Sequence, residues 1–340
     1  MTVKVGINGL GRIGRAALKV IMDTPELDLV AANDIGGLEN MAYLLKYDTV
    51  YGRYEKSVDI LPGKLVIDGK EIEYLSERDP ANLPWKSKGV ELVFECTGLF
   101  TKQEDAGKHI QAGAKWVILS GPTSSKDVPT VVHGVNRPDD STFILSCASC
   151  TTNNIAPVME VMNRHFGVEK AIMTTVHAYT ATQMLVDAPG GKKDMRRGRA
   201  AAANFVPSST GAAVATTKAI PELEGLFDGV AIRGPVACGS LADVVIVTKR
   251  NTSVEEVNEV FRQEAGTERY RDILGVTEDE LVSSDIIKDP RASIVQLDMT
   301  RVVDGNLVKI MSWYDNEWGY ANQMIRTALV SLGLREPVFF

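Results

Sequence analysis

The chain has 340 residues, 44% hydrophobic and 24% charged, which suits about two domains of ~100–200 residues with buried cores. A formal net charge of −7 lacks the basic footprint of a nucleic-acid binder, so no nucleic-acid partner is expected. Cys96, Cys147, Cys150 and Cys238 form no disulfide framework and no metal-ligand spacing, no apolar run reaches the ~18–20 residues of a membrane span, and no secretory leader precedes the first strand, so a cytoplasmic protein without metal or membrane partner is expected.

Taken in chain order, the first 150 residues alternate strand-like and helix-like segments. Residues 3–8 read as a strand entering a glycine-rich turn, after which Ile13, Ala17, Val20 and Ile21 recur at helical spacing. Residues 27–32 form the next apolar run. Later runs fall at 91–96, 116–120, 130–133 and 143–146, with a predicted helix over 104–112. This alternation predicts an α/β cofactor domain of the Rossmann type, a doubly wound, mostly parallel sheet covered on both faces. Within residues 64–74, two apolar runs flank Asp68-Gly69, a hairpin signal.

Beyond Cys150 the texture changes. Ile155, Val158, Met159, Met162 and Phe166 mark a helix with a kink expected at Pro157. Long strand-like runs follow at 171–178, 229–233, 241–249 and 307–313, with few crossover helices between them. They predict an α+β domain built on a mixed or antiparallel sheet. Ser253-x-x-Glu256 reads as a capping box. Ala321, Met324, Ile325, Ala328 and Leu329 predict a C-terminal helix. Residues 180–200, which include Gly190-Gly191-Lys192-Lys193, form a long irregular stretch, and long loops in compact enzymes tend to carry function.

Gly9-Leu10-Gly11-Arg12-Ile13-Gly14 is a G-x-G-x-x-G pattern between a predicted strand and a predicted helix. Its glycines permit a tight turn and close approach of backbone to a pyrophosphate, and the helix start offers N–H groups and positive dipole. Asp34 follows Gly14 by about 20 residues, where an acid accepts hydrogen bonds from ribose hydroxyls; its charge favours NAD over a 2′-phosphorylated cofactor. Gly36-Gly37 and Arg78 leave NADP open, by providing space and positive charge near the ribose.

Ser149-Cys150-Thr151-Thr152-Asn153 precedes a helical pattern, so Cys150 falls at a helix start whose dipole favours thiolate. His177 ends an apolar strand and suits a base that takes the cysteine's proton. His109 and His165, on helical patterns, read as structural. Arg197 lies in a cluster of three arginines, Thr210 and Gly211 in Pro207-Ser208-Ser209-Thr210-Gly211, and Arg233 at a strand end. Together they offer the forks and hydroxyls that bind phosphoryl groups, although a solvated charge run and a capped turn explain the first two equally well.

The segments 6–15, 149–153, 177–180, 207–213 and Trp313-Tyr314-Asp315-Asn316-Glu317-Trp318-Gly319-Tyr320 make the chain resemble the glyceraldehyde-3-phosphate dehydrogenase family nearly end to end. The resemblance implies attack of Cys150 on the aldehyde of glyceraldehyde 3-phosphate, with His177 as base. Hydride passes to NAD or NADP, and inorganic phosphate cleaves the thioester to 1,3-bisphosphoglycerate. It implies Thr180 and Arg233 at the substrate phosphate, Ser149, Thr151, Thr210 and Gly211 at the attacking phosphate, Arg197 serving both, and Asn316 orienting the nicotinamide. With Gly9, Gly11, Arg12, Ile13, Gly14, Asp34, Arg78 and Ser120, Asn316 completes the candidate cofactor set.

The resemblance also implies a cofactor domain over 1–149, a catalytic domain over 150–316 with an S-shaped loop at about 180–206, a C-terminal segment 317–340 returning to the cofactor domain, and a homotetramer. Departures are Cys147 and Asn154 flanking the cysteine block, Thr182 where an acid is common, Val214 where a lysine is common, and a longer loop at 190–193. Rival readings are an erythrose-4-phosphate dehydrogenase, separable by comparing the two aldehydes, and a catalytically silent dinucleotide-binding paralogue, which predicts loss of Cys150 or His177.

Overall fold

The computed structural model describes residues 2–139, 141–190 and 194–336. These form two compact units. The first takes the chain up to Val131, then Arg137–Ala148, and the described residues from Met324 onward; the second takes Val132–Asn136 and Ser149–Gln323. Among the described residues no helix is long and apolar enough to cross a membrane, and no group of three or more His, Cys, Asp or Glu side chains is arranged to hold a metal ion.

The first unit runs β1 Val3–Asn8, α1 Arg12–Ile21, β2 Leu27–Asn33, α2 Leu38–Lys46, a small pair β3 Tyr47–Asp48 and β4 Gly52–Arg53, β5 Val58–Leu61, β6 Lys64–Ile67, β7 Lys70–Leu75, α3 Trp85–Lys88, β8 Leu92–Glu95, α4 Gln103–Gln111, β9 Trp116–Leu119 and β10 Ile144–Ser146. The sheet order is β10-β9-β8-β1-β2-β7-β6-β5, parallel from β10 to β7 and antiparallel beyond. The chain leaves β1 towards β2 and later returns to its other side as β8, so the order reverses beside β1. Such a reversal opens a crevice at the carboxyl ends of the strands. β1 is buried apart from Lys4 and β8 is buried throughout, as strands inside a parallel sheet covered on both faces are expected to be. Asp68 and Gly69, at φ 48° and 78°, make the two-residue turn of the β6–β7 hairpin, the left-handed pair such a turn requires.

The second unit runs α5 Cys150–Phe166, β11 Val168–Ala178, β12 Val206–Ser209, α6 Ala212–Ala219, β13 Phe227–Gly234, β14 Ser240–Thr248, α7 Val254–Ala265, β15 Leu274–Thr277, β16 Ser293–Gln296, β17 Arg301–Val303 and β18 Leu307–Tyr314, and takes the start of α8 Trp318–Ser331, whose residues from Met324 belong to the first unit. Its sheet order is β12-β13-β11-β14-β18-β16-β15; β11–β13 and β15–β16 are parallel, the other pairs antiparallel. The mixed α+β architecture is the expected one. β14 alternates buried and half-buried residues, so one face meets the core. Ile155, Val158, Met159 and Met162 of α5 are fully buried in that core, each contributing on the order of 2 kcal/mol. α5 continues through Pro157 without interruption.

Two local expectations are corrected. Residues 130–133 do not form a strand: only Thr130 makes an isolated bridge, to Ser146. Ser253 caps α7 by accepting from the Glu256 N–H, yet the Glu256 carboxylate accepts from the Thr252 hydroxyl, so no reciprocal bond back to Ser253 completes the box.

Candidate active site

In the first unit, the carboxyl ends of β1, β2 and β8 open into a cleft of about 310 Å³ lined by Asn8, Gly9, Gly11, Asn33, Asp34, Glu77, Arg78, Thr97, Leu99 and Phe100. Gly11 caps α1 and has no side chain to satisfy its first N–H groups. A Cβ on Gly11 would project into open space, the kind of vacancy a pyrophosphate needs, whereas a Cβ on Gly14 would meet the Gly9 carbonyl oxygen at 1.9 Å. The two glycines therefore do different work: Gly11 keeps the cradle open and Gly14 lets α1 close on the preceding turn.

The Asp34 carboxylate is fixed by the backbone N–H groups of Leu10 at 2.6 Å and Gly36 at 2.8 Å. Arg78 stands exposed on the cleft's lining. Arg12 pairs with Asp48 and lies over the Tyr51 ring, and Ser120 donates its N–H to the Glu95 carbonyl at 3.0 Å. Neither Arg12, Ile13, Gly14 nor Ser120 lines the cleft. These features fit an NAD: an open helix start for the pyrophosphate and an anchored acid for the ribose.

In the second unit, Ser149 caps α5, its hydroxyl oxygen accepting from the Thr152 N–H at 3.1 Å, and Cys150 is the first helical residue. β11 buries Met173, Thr175 and His177 on one face while Ile172 and Val176 face outward. That alternation delivers His177 to the side where α5 begins, and its Nε2 stands 3.3 Å from the Cys150 Sγ. The parallel register sets Arg233 of β13 beside His177, so the two side chains are neighbours on one face.

Arg233 Nη1 lies 2.6 Å from His177 Nδ1 and 3.2 Å from the Ala178 carbonyl oxygen, which is itself 2.7 Å from Nδ1. Two proton arrangements follow. With Arg233 donating to Nδ1, the ring proton sits on Nε2 and faces the sulfur; with Nδ1–H donating to Ala178, Nε2 presents its lone pair to the sulfur. Burial and the Arg233 charge hold His177 down at about 3, so it is a neutral imidazole at pH 7. Burial pushes the Cys150 thiol up, opposed by the Arg233 charge and by bonds from Thr151. This differs from the thiolate expected of a helix start, because desolvation penalises the anion more than these groups reward it.

Around this pair, Arg197 donates to the Ser208 hydroxyl from Nε at 3.1 Å and Nη2 at 2.9 Å, and to Thr182 Oγ1 at 3.4 Å; Thr182 also hydrogen-bonds Thr180 at 3.0 Å. Thr182, a departure from the common acid, thus ties Thr180 to Arg197. Thr210 accepts from the Ala212 N–H at 3.2 Å and Gly211 caps α6, as in a capped turn. Asn316 accepts at Oδ1 from the Gly239 N–H at 3.1 Å and the Ser240 hydroxyl at 2.9 Å, which fixes its amide orientation. The longer loop at 190–193 lies largely outside the described residues.

Sequence reasoning gave no separate role to Tyr314. Its buried ring packs edge-on against His177 at 5.8 Å, and its hydroxyl bonds Thr151 at 2.9 Å and Thr175 at 2.8 Å. Only its place in the Trp313–Tyr320 block hinted at it.

The family model of the glyceraldehyde 3-phosphate dehydrogenase NAD binding domain matches residues 3–103, and that of the C-terminal domain matches residues 149–316. The glyceraldehyde-3-phosphate dehydrogenase of Streptomyces coelicolor is 46% identical over 329 residues, covering 96% of this chain and 97% of that protein. The protein of the same name from Clostridium pasteurianum is 46% identical, covering 95% and 97%, and that from Zymomonas mobilis is 46% identical, covering 96% and 98%. An anchored acid and open glycine turn in one unit, a facing cysteine and histidine in the other, and this likeness across both place the chain in the glyceraldehyde-3-phosphate dehydrogenase family of NAD-dependent oxidoreductases.

Proposed function

We propose that this chain catalyses the phosphorylating oxidation of glyceraldehyde 3-phosphate to 1,3-bisphosphoglycerate. The observation that carries the reading is the 3.3 Å approach of Cys150 Sγ to His177 Nε2, at a helix start and a strand end. His177, neutral in the resting site, takes the thiol proton as the sulfur attacks the aldehyde carbon, and the new oxygen is protonated to a hemithioacetal. His177 then holds the hydroxyl proton as the carbonyl re-forms. When bound, NAD accepts the hydride that leaves this carbon. The product is a thioester on Cys150. An oxygen of inorganic phosphate attacks it, the C–S bond breaks, and the sulfur leaves as thiolate with the acyl phosphate released.

Thr180 and Arg233 are assigned to the substrate phosphate, and Ser149, Thr151, Thr210 and Gly211 to the attacking one. Arg197, held between Ser208 and Thr182, serves both, because its fork pairs with phosphoryl oxygens. Gly9, Gly11, Arg12, Ile13, Gly14, Asp34, Arg78, Ser120 and Asn316 are assigned to the cofactor. The fixed amide of Asn316 supports a role on the nicotinamide. Exposed Arg78 and the Gly36-Gly37 turn support some use of NADP. A cytoplasmic location and a homotetramer complete the reading; the assembly is supported by the outward apolar residues Ile172, Val176 and Val230, exposed on the second sheet.

Mass spectrometry tests the covalent step. Protein mixed with NAD and glyceraldehyde 3-phosphate without phosphate, then acid-quenched, is expected to carry one acyl group on Cys150, discharged by added phosphate. The Cys150→Ser variant is expected to carry none while still binding NAD. An acyl group elsewhere, or turnover by Cys150→Ser, contradicts the assignment.

A further inference from the structure

Behind the cofactor cleft lies a fully buried polar row that the chemistry at Cys150 does not use. Asn33, Asn8 and Glu95 are register partners at the carboxyl ends of β2, β1 and β8. The Glu95 side chain is entirely buried, as is that of His109 on α4. A buried carboxylate is costly unless its lone pairs are met. Here four donors converge on it: Asn8 Nδ2 at 2.6 Å, His109 Nε2 at 3.0 Å, the Thr97 N–H at 2.8 Å, and the Thr97 hydroxyl. An ionised carboxylate offers about four acceptor positions and no donor, so it satisfies this set where an amide does not.

The direction of every bond is determined. Trp85 Nε1, which only donates, gives its hydrogen to His109 Nδ1 at 3.0 Å, so the His109 proton sits on Nε2 and points to Glu95. Asn8, donating to Glu95, turns its oxygen to Asn33 Nδ2 at 2.7 Å; Asn33 in turn accepts from the Glu77 N–H at 2.8 Å. In the other direction, the Thr97 hydroxyl accepts from the Leu99 N–H at 3.0 Å. One carboxylate thereby fixes two walls of the cleft: a polar wall at Asn33 and Glu77, and an apolar wall at Leu99.

We propose that Glu95, seated by His109 and Trp85, is a positioning residue that sets the span of the adenosine end of the NAD cleft. Glu95 does not touch the cofactor; it acts through Asn8, Asn33 and Thr97. The inference rests on this cleft holding NAD and is independent of the chemistry proposed at Cys150.

Glu95→Gln conserves shape but sets an NH2 against Asn8, His109 or Thr97 donors. In the full-length protein, calorimetry is expected to show NAD and ADP-ribose affinities falling together by at least about tenfold, the scale of one lost charged hydrogen bond. The rate of Cys150 alkylation by iodoacetamide stays near that of the parent. Turnover at saturating NAD changes little, so the loss appears in KM and not in kcat. Trp85→Phe, which removes the N–H that orients His109 together with part of a fully buried ring, is expected to lower stability and to give a smaller loss of NAD affinity of the same kind, and it serves as the second probe should Glu95→Gln fold poorly. A lowered melting temperature with unchanged NAD affinity in both variants overturns the proposal, as does a fall in kcat with KM unaltered. Failure of the Cys150 chemistry with NAD affinity lost as expected counts against the catalytic reading alone.

Discussion

Cys150 and His177 meet because α5 begins where β11 ends: Cys150 opens α5 and His177 is the penultimate residue of β11. The sequence made those places legible, since a hydroxyl-rich block before apolar periodicity marks a helix start and a polar residue after an apolar run marks a strand end. It left Tyr314 obscure, because its partners Thr151 and Thr175 lie 163 and 139 residues away and a lone tyrosine in a strand reads as core. It also overstated the thiolate, since helix position is visible in a sequence and desolvation is not. Arg233 governs both groups: its charge lowers the Cys150 thiol and lowers His177. Removing it therefore raises both. In Arg233→Gln, the pH midpoint of Cys150 alkylation by iodoacetamide is expected to rise. His177 is expected to titrate closer to the ordinary value of ~6.5, read by NMR of the imidazole. A midpoint that stays or falls contradicts the placement of Arg233.

At the scale of elements, the glycine turn separates folding from binding. Gly14→Ala would drive a methyl into the Gly9 carbonyl at 1.9 Å, a backbone atom that cannot swing aside. Its expected effect is a loss of stability of roughly 1–3 kcal/mol, measured by chemical denaturation. Gly11→Ala meets nothing within 4 Å and should fold as the parent does, yet weaken NAD binding by occupying the cradle. Equal stability losses in the two variants would remove that distinction. Strands, helices and the Asp68-Gly69 hairpin were readable from periodicity and turn chemistry. The failure at residues 130–133 has a plain cause: an apolar run becomes a strand only where a neighbour pairs with it, and Thr130 alone finds one, at Ser146.

For the whole molecule, composition and alternation foretold a parallel-sheet unit followed by a mixed-sheet unit. Neither reveals the Glu95 row, whose members come from three strands and a helix and carry no local pattern. The outward face of the second sheet exposes Ile172 by 62% and Val230 by 51%, more than scattered surface residues require. If the proposed tetramer buries this face between copies, Ile172→Asp combined with Val230→Asp is the test of assembly. Light scattering should give the parent about 148 kDa, four times the 37.0 kDa chain, and the double variant a smaller species. A parent that runs as a single chain contradicts the tetramer.

The proposed reaction turns on a Cys150 thioester that needs phosphate for release. Its most direct test is steady-state oxidation of glyceraldehyde 3-phosphate by the purified, reduced protein, with and without inorganic phosphate, using NAD and NADP separately. The expected result is sustained, phosphate-dependent reduction, with NAD ahead of NADP as the anchored Asp34 carboxylate dictates. Sustained reduction without phosphate, or none with either cofactor, contradicts it.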